Sequence, residues 1–439
     1  MIDDSHDNGR VTLGGKSGRG IAPSIPQVGG VVIGNALEFY DFLIYAYYAV
    51  YIGRAFFPAH DATVSLLASL AAFGFGFLAR PLGAFAFGLI GDRAGRKPAM
   101  ILSFSLIGLA DAGLALTPSY ALIGVAAPVL LVLFRLLQGF AVGGEIGPST
   151  AYLIEAAPES QRGVYASMQY ASQALGAGLA AGVGIVLSEI MRGQEFATYG
   201  WRIALLLGVL IVPLGAILRS RLTESLELAR DASSNADPGT QPRSEFRRIV
   251  VLGFVMLSTC TVAGYVELYL TTYTIVTLHR SSIIGFGTAV ISNLATIVFS
   301  VVSGVISDKI GRKPVMIVPS LLLCIIFIPA FWIMVHTQGT FALYAAVAAL
   351  VGLSGLVGAA ITTHVSESLP PERRAGAIGI IYALAVTIFG GCTQFVVAWL
   401  ISATGSPLAP AILGEVSAAI GLLAMLFTRE SAPARLRSA

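Results

Sequence analysis

Gly88-Leu-Ile-Gly-Asp92-Arg-Ala-Gly95-Arg96-Lys97-Pro98 closes one long apolar run, and Gly304-Val-Ile-Ser-Asp308-Lys-Ile-Gly311-Arg312-Lys313-Pro314 closes another. The two stretches carry Gly, Asp, Gly, Arg, Lys and Pro at the same spacing. A second pair repeats at a similar offset: Glu155 stands seven residues before Arg162, and Glu367 seven before Arg374. Matched copies of this kind mark a chain assembled from an internal repeat. Each turn also ends an apolar run of the length that carries a helix across a bilayer core, roughly 20 residues.

Working outward from the turns gives twelve apolar segments: 28–52, 64–91, 98–117, 124–152, 163–191, 201–219, 249–278, 282–307, 314–336, 341–366, 375–402 and 408–428. The 439 residues are 56% hydrophobic and 12% charged, with a mean hydropathy of +0.80. A soluble domain carries about 25% charged residues, so water is not the main solvent of this chain. Backbone groups in lipid are satisfied within a helix or in a closed barrel, and unalternating runs such as Ile203–Leu218 exclude the barrel. The expected fold is an all-α integral membrane bundle, with twelve transmembrane helices in two pseudo-symmetric six-helix halves. Residues 28–219 form the first half and 249–428 the second. Residues 1–27 and 429–439 are polar tails, and 220–248, rich in Ser, Asp and Pro, read as a linker. No stretch of the first tail resembles a cleaved signal peptide.

Charge sets the orientation. Of 27 Lys and Arg, 21 fall in the tails, the linker and the even-to-odd connections. Arg54, Arg192, Arg202 and Arg280 lie on the other side, and Arg80 and Arg135 are inside apolar runs. The positive-inside rule then places both termini and the linker in the cytoplasm of a bacterial-type inner membrane.

The sequence resembles the major facilitator superfamily, and within it the metabolite:proton symporters. The resemblance rests on Gly34-Asn-Ala-Leu-Glu38-Phe-Tyr-Asp41-Phe, Gly76-Phe-Leu-Ala-Arg80-Pro81, Arg135-Leu-Leu-Gln138-Gly139 through Gly144-Glu145, and Trp201-Arg202-Ile, and it covers essentially the whole chain. Tyr382–Gly391 and Gly208–Leu222 look most like citrate and tricarballylate carriers. The resemblance implies two six-helix repeats with a solute site between them near the bilayer midplane. It also implies a gating role for the repeated turns, which latch the cytoplasmic side in this superfamily. Gly88, Asp92, Gly95, Arg96, Asp308, Gly311 and Arg312 would form the latches, with Glu155, Arg162, Glu367 and Arg374 around them. The fifth segment lacks the Gly-Pro motif of drug antiporters, which favours uptake by symport.

The buried charges carry the candidate chemistry. Asn35, Glu38, Asp41 and Tyr45 recur at three- and four-residue steps on one helix face, and Arg135, Gln138 and Glu145 do so on another. A charge at a helix centre costs about 2.5–3.5 kcal/mol on insertion scales, so it belongs beside a partner or a wet cavity. Asp41 is the first candidate for the proton carrier, with Glu38 and Glu145 behind it and Arg135 as counter-charge or anion clamp. The alternative is an ion pair that only pins the first and fourth helices together. Arg80 offers a fork of donors that fits a carboxylate, or else snorkels towards the membrane surface. Asn35, Tyr45, Gln138, Gln169, Tyr265, Tyr269 and Asn293 complete the substrate-binding candidates. Gln169 and Asn293 serve equally well as interhelical bonds.

Other chemistries find no foothold. Gly15-Lys16-Ser17 ends like a phosphate-binding loop, but Arg10 stands where that motif requires glycine. The five histidines show no metal-ligand spacing, and no nucleotide or nucleic-acid motif is present. No cofactor and no enzymatic activity are expected. The driving force is an ion gradient, with the proton as coupling ion and sodium left open. The expected activity is import of a citrate-like di- or tricarboxylate by a monomeric carrier in the lipid bilayer. The rivals are a carrier of a zwitterionic osmolyte or shikimate, and a substrate sensor that does not transport.

Overall fold

The computed structural model describes residues 25–94, 96–143, 150, 153–154, 157–191, 193–220 and 242–432, excepting the side chains of 25–27, 88, 91–94, 96–97, 99–100, 159, 211–220, 371–372 and 375. Gly95, Glu145, Glu155 and residues 221–241 of the expected linker therefore lie outside it, as do the side chains of Asp92 and Arg96 and any detail at Gly88.

Twelve helical segments follow in order. α1 is Ile25–Tyr47, continued past Tyr48 by Ala49–Phe56. α2 is Ala62–Leu78 and Arg80–Ala94. α3 is Arg96–Leu116, α4 Ala126–Val142, α5 Arg162–Ile190 and α6 Trp201–Ser220. α7 is Arg243–Leu268, continued by Leu270–Thr272 and Tyr273–Thr277. α8 is Ser282–Ile310, α9 Arg312–His336 and α10 Thr340–Ser368. α11 runs from Pro371–Ala385 through Val386–Gly390 to Gly391–Thr404, and α12 is Ala409–Leu426. Among the described residues there is no strand, and nine helices are long and apolar enough to cross a membrane. The apolar parts of α3, α4 and α6 are shorter.

Local chemistry explains the boundaries. Asp61 caps α2 by accepting from Thr63 N at 2.8 Å, one of the four donors a helix start leaves open. Pro81 has no N–H to give, and α2 is interrupted at Ala79, just before it. Gly311 takes a φ of +102° between α8 and α9, a conformation that only glycine adopts without strain. α11 covers the apolar segment 375–402 and contains a π-turn at Val386–Gly390. α7 ends in another at Tyr273–Thr277.

Glycines set the closest packing. A Cβ on Gly139 would strike the carbonyl of Gly76, and one on Gly83 would strike that of Phe140, so α2 and α4 touch backbone to backbone. This is how small residues bring membrane helices together. On α5, Gly182 has nothing within 4 Å of its Cβ position. Gly176 and Gly184 make the approaches on α5 instead, to Ala36 and Phe286. Between the halves, Gly163 of α5 meets Gly304 of α8, and Gly74 of α2 meets Gly391 of α11. Leu82, Phe85, Leu122, Ile190, Leu210 and Phe341 are exposed on the outside. Such an apolar girdle has lipid as its solvent, and the chain is a multi-pass membrane protein.

Candidate functional site

A cavity of about 220 Å³ lies between the halves, lined from α1 and α5 on one side and from α7, α8, α10 and α11 on the other. Its polar lining includes Tyr47, Tyr170, Gln173, Tyr265, Glu267 and Asn293. Helix α7 presents Tyr265, Glu267 and Thr271 to this space. Tyr265 packs edge-on to Phe77 with ring centroids 5.6 Å apart. Asn293 donates to Tyr47 Oη at 2.9 Å and to Ala289 O at 2.7 Å, joining α8 to α1 across the cleft.

Of the nine substrate-binding candidates, Tyr265 and Asn293 line the cavity. Tyr269 does not: it is 2% exposed and sits in the second half's apolar core, one helical turn beyond Tyr265. Asn35 donates to Ser172 Oγ at 2.6 Å and to Gln169 O at 3.3 Å, and Gln169 Nε2 donates back to Asn35 Oδ1 at 3.4 Å. These bonds hold α1 to α5. Tyr45 Oη donates to Ser69 O at 3.1 Å. Arg80 lies between the rings of Phe42 and Phe77, each 4.4 Å from its guanidinium carbon. It is close enough to Tyr265 and Tyr382, both on the cavity wall, to act on them electrostatically.

The expected approach of Arg135 to Asp41 is corrected by the structure. Arg135 is fully buried, with its guanidinium carbon 4.6 Å from the Tyr45 ring, 4.9 Å from Phe73 and 5.3 Å from Phe42. Its Nη1 donates to Gln138 Oε1, and Gln138 Nε2 donates to Asp111 Oδ1 at 2.8 Å. Asp111 of α3 is thus the carboxylate that Arg135 reaches, through one amide. The reason is geometric: the Phe42 ring fills the face of α1 that looks towards α4, while Asp41 points to α6, where a Cβ on Gly208 would collide with it. Asp41 is 2% exposed, and its Oδ1 has no hydrogen-bond partner among the described residues. Asp111 feels the charges of both Asp41 and Arg135. Glu38 is buried on the same helix, within electrostatic reach of Tyr382. Asp111 escaped the sequence reading, although an aspartate inside Leu109-Ala-Asp-Ala-Gly-Leu114 is itself a signal.

The second repeat turn forms a compact network. Asp308 accepts from Gly163 N at 2.8 Å and Val164 N at 3.1 Å, at the start of α5 in the other half. Arg312 Nη1 stands 2.7 Å from Asp308 Oδ1. Arg312 Nε and Nη2 each donate to Glu367 at 3.0 Å, the paired geometry in which guanidinium and carboxylate bind best. Arg374 donates from Nε to Ser366 O at 2.8 Å. Glu430, just after α12, accepts from the backbone of Arg312, Lys313, Ser431 and Ala432 at 2.9–3.0 Å. Burial opposes its ionisation, but these four N–H groups prevail and hold its carboxyl below the ordinary glutamate value. At the opposite end of the cleft, Tyr51 Oη and Ser282 Oγ are 2.6 Å apart, and Tyr48 packs on Phe286 at 4.9 Å. The halves therefore touch on both sides of the cavity.

Residues 30–240 match the family described as Sugar (and other) transporter, and residues 280–439 match the Major Facilitator Superfamily. A citrate-proton symporter of Klebsiella pneumoniae is 32% identical over 416 residues, covering 93% of each chain. A proline/betaine transporter of Salmonella typhimurium is 30% identical, covering 93% of this chain and 84% of its own. Among solved structures, a D-xylose-proton symporter superposes with a TM-score of 0.73 at 19% identity, over 93% of this chain and 98% of that one. This last likeness concerns the fold.

Proposed function

Because the chain belongs to the major facilitator superfamily, as a proton-coupled symporter, we propose that it imports a small carboxylate by alternating access. The observation that carries this reading is Arg80. It is 5% exposed, stands behind the cavity residues Tyr265 and Tyr382, and its Nε has no hydrogen-bond partner among the described residues. A cation with a spare donor just behind the wall of a cavity favours an anion inside it. Asp41 is the proposed proton carrier, since it is buried without a cation in contact among the described residues and needs protonation to stay there. Arg135, held by Gln138 and aromatic rings, fixes the local potential and keeps its own proton.

The turn that carries Asp308 is the proposed cytoplasmic gate, on the side to which the excess of Lys and Arg points. It bonds the two halves together there, and its release would open the inner mouth. The citrate-like substrate is favoured by the Klebsiella relative. A zwitterion is the second reading, favoured by Glu267, an acid on the cavity wall, and by the proline/betaine relative. The test is uptake into proteoliposomes with an imposed inward proton gradient. Labelled citrate would compete against other carboxylates, glycine betaine and shikimate. Carboxylate uptake abolished by a protonophore is the expected result; uptake indifferent to the gradient would sink the reading.

A further inference from the structure

Glu267 lines the cavity on α7, in the half opposite Asp41. Among the described residues that line this space there is no Lys, Arg or His, and Glu267 is the only Asp or Glu. Its Oε1 is buried with no hydrogen-bond partner among the described residues, and the polar side chain beside the carboxyl is the Ser354 hydroxyl. The titratable groups that face it are Cys260 on α7 and Tyr170 on α5, with Tyr382 of α11 behind Tyr170. None of these offers a positive charge. A bare carboxylate in so dry a place would be costly, and it would also repel an anionic solute.

We propose that Glu267 is a second proton-binding site, which carries a proton whenever the solute's carboxylate occupies the cavity. The proposal rests on the symport reading above and deepens it. One proton travels at Asp41 in the first half and another at Glu267 in the second, so each solute enters with more than one proton. The proton binds a Glu267 carboxyl oxygen in the state open to the outside. It leaves once the cavity wets from the inside and the solute departs. No covalent bond to the solute is formed.

Two measurements test this on the purified full chain. The first reads the proton-to-solute ratio from the reversal potential in proteoliposomes, with citrate as probe, or glycine betaine if the uptake panel selects it. Glu267→Gln should lower the ratio by one proton, and Glu267→Asp, which keeps a carboxyl, should hold the wild-type ratio. The second is made with the solute bound: the infrared carbonyl band of a protonated carboxyl, present in the wild type at neutral pH, should lose intensity in Glu267→Gln. An unchanged ratio in Glu267→Gln overturns the proposal, and so does a wild-type spectrum with no such band for the substitution to remove. Loss of betaine uptake at constant ratio also overturns it, by making Glu267 an ionised partner for a cationic solute. A wild type with no proton-driven current would instead refute the symport reading itself.

Discussion

The Asp308 carboxylate accepts the backbone N–H of Gly163 at 2.8 Å, so a residue of the second half caps a helix of the first. The same carboxylate pairs with Arg312 at 2.7 Å, and Arg312 in turn grips Glu367. One anion thus satisfies the start of α5 and anchors a buried guanidinium.

Asp308→Asn keeps the shape and removes the charge. Hydrogen bonds to charged groups are worth about 1.5–3 kcal/mol each, so the balance between the state seen here and one parted at this end should move by roughly 10- to 150-fold. Solute turnover should fall much further than solute affinity, because the network touches no solute. Equal losses in a binding assay and in transport would count against a gating role.

Asp41→Asn should uncouple the carrier without unfolding it. Among the described residues no contact joins Asp41 to Arg135, which is held by Gln138, the Phe73 carbonyl and three rings, so the substitution leaves no guanidinium stranded. Expression and monodispersity should match the wild type. Counterflow exchange should persist while gradient-driven accumulation falls steeply, to the level that the Glu267 proton alone can drive. Normal accumulation by this variant would pass the coupling role to Glu38 or Glu145.

Gln138→Leu should do the opposite and injure stability first. The amide joins Arg135 to Asp111, and without it both buried groups lose a hydrogen bond at once. Each unsatisfied group costs about 1–3 kcal/mol. The thermal unfolding midpoint of the detergent-purified protein should drop clearly, and Gln138→Glu should not fully restore it, since it keeps an acceptor for Arg135 but replaces the amide that donates to Asp111 with a second carboxylate. A Gln138→Leu protein as stable as the wild type would show that the chain of bonds is dispensable.

The bundle was legible because lipid imposes coarse rules: long apolar runs, charged turns at their ends, and a repeat that needs only spacing to be seen. The partners of the buried charges were harder to read. Helical periodicity puts Asp41 and Tyr45 on one broad face, but it does not show that Phe42 shields the approach to α4 or that Gly208 leaves room for Asp41 on α6. Asp111 was visible as an acid in an apolar run, yet its link to Arg135 depends on a glutamine from a third position. Tyr269 shares a helix face with Tyr265, but it lies one turn further along α7, where that face meets the apolar core and not the cavity.

Glu430 ties the chain after α12 to the start of α9, and its effect should depend on pH. A carboxyl held below its ordinary value of 4.5 stabilises the fold above that value and loses the contribution as pH falls through the lowered one. Glu430→Gln should therefore be less thermostable than the wild type at neutral pH, and the gap should close as the solution is acidified below about 4.5. A gap that widens in acid would reverse the sign and contradict the bonding described.

Gly163 and Gly304 meet so closely that a methyl group on either would strike the other's backbone. The approach leaves no room for solvent, and the side chains beside it, Arg312, Ser307 and Ser167, are themselves held by hydrogen bonds. Parting the halves at this end must therefore begin by hydrating bare peptide surface, which makes water itself a reactant in the opening step. Excluded osmolytes that lower water activity should slow solute release at this mouth while leaving the dry, closed form unaltered.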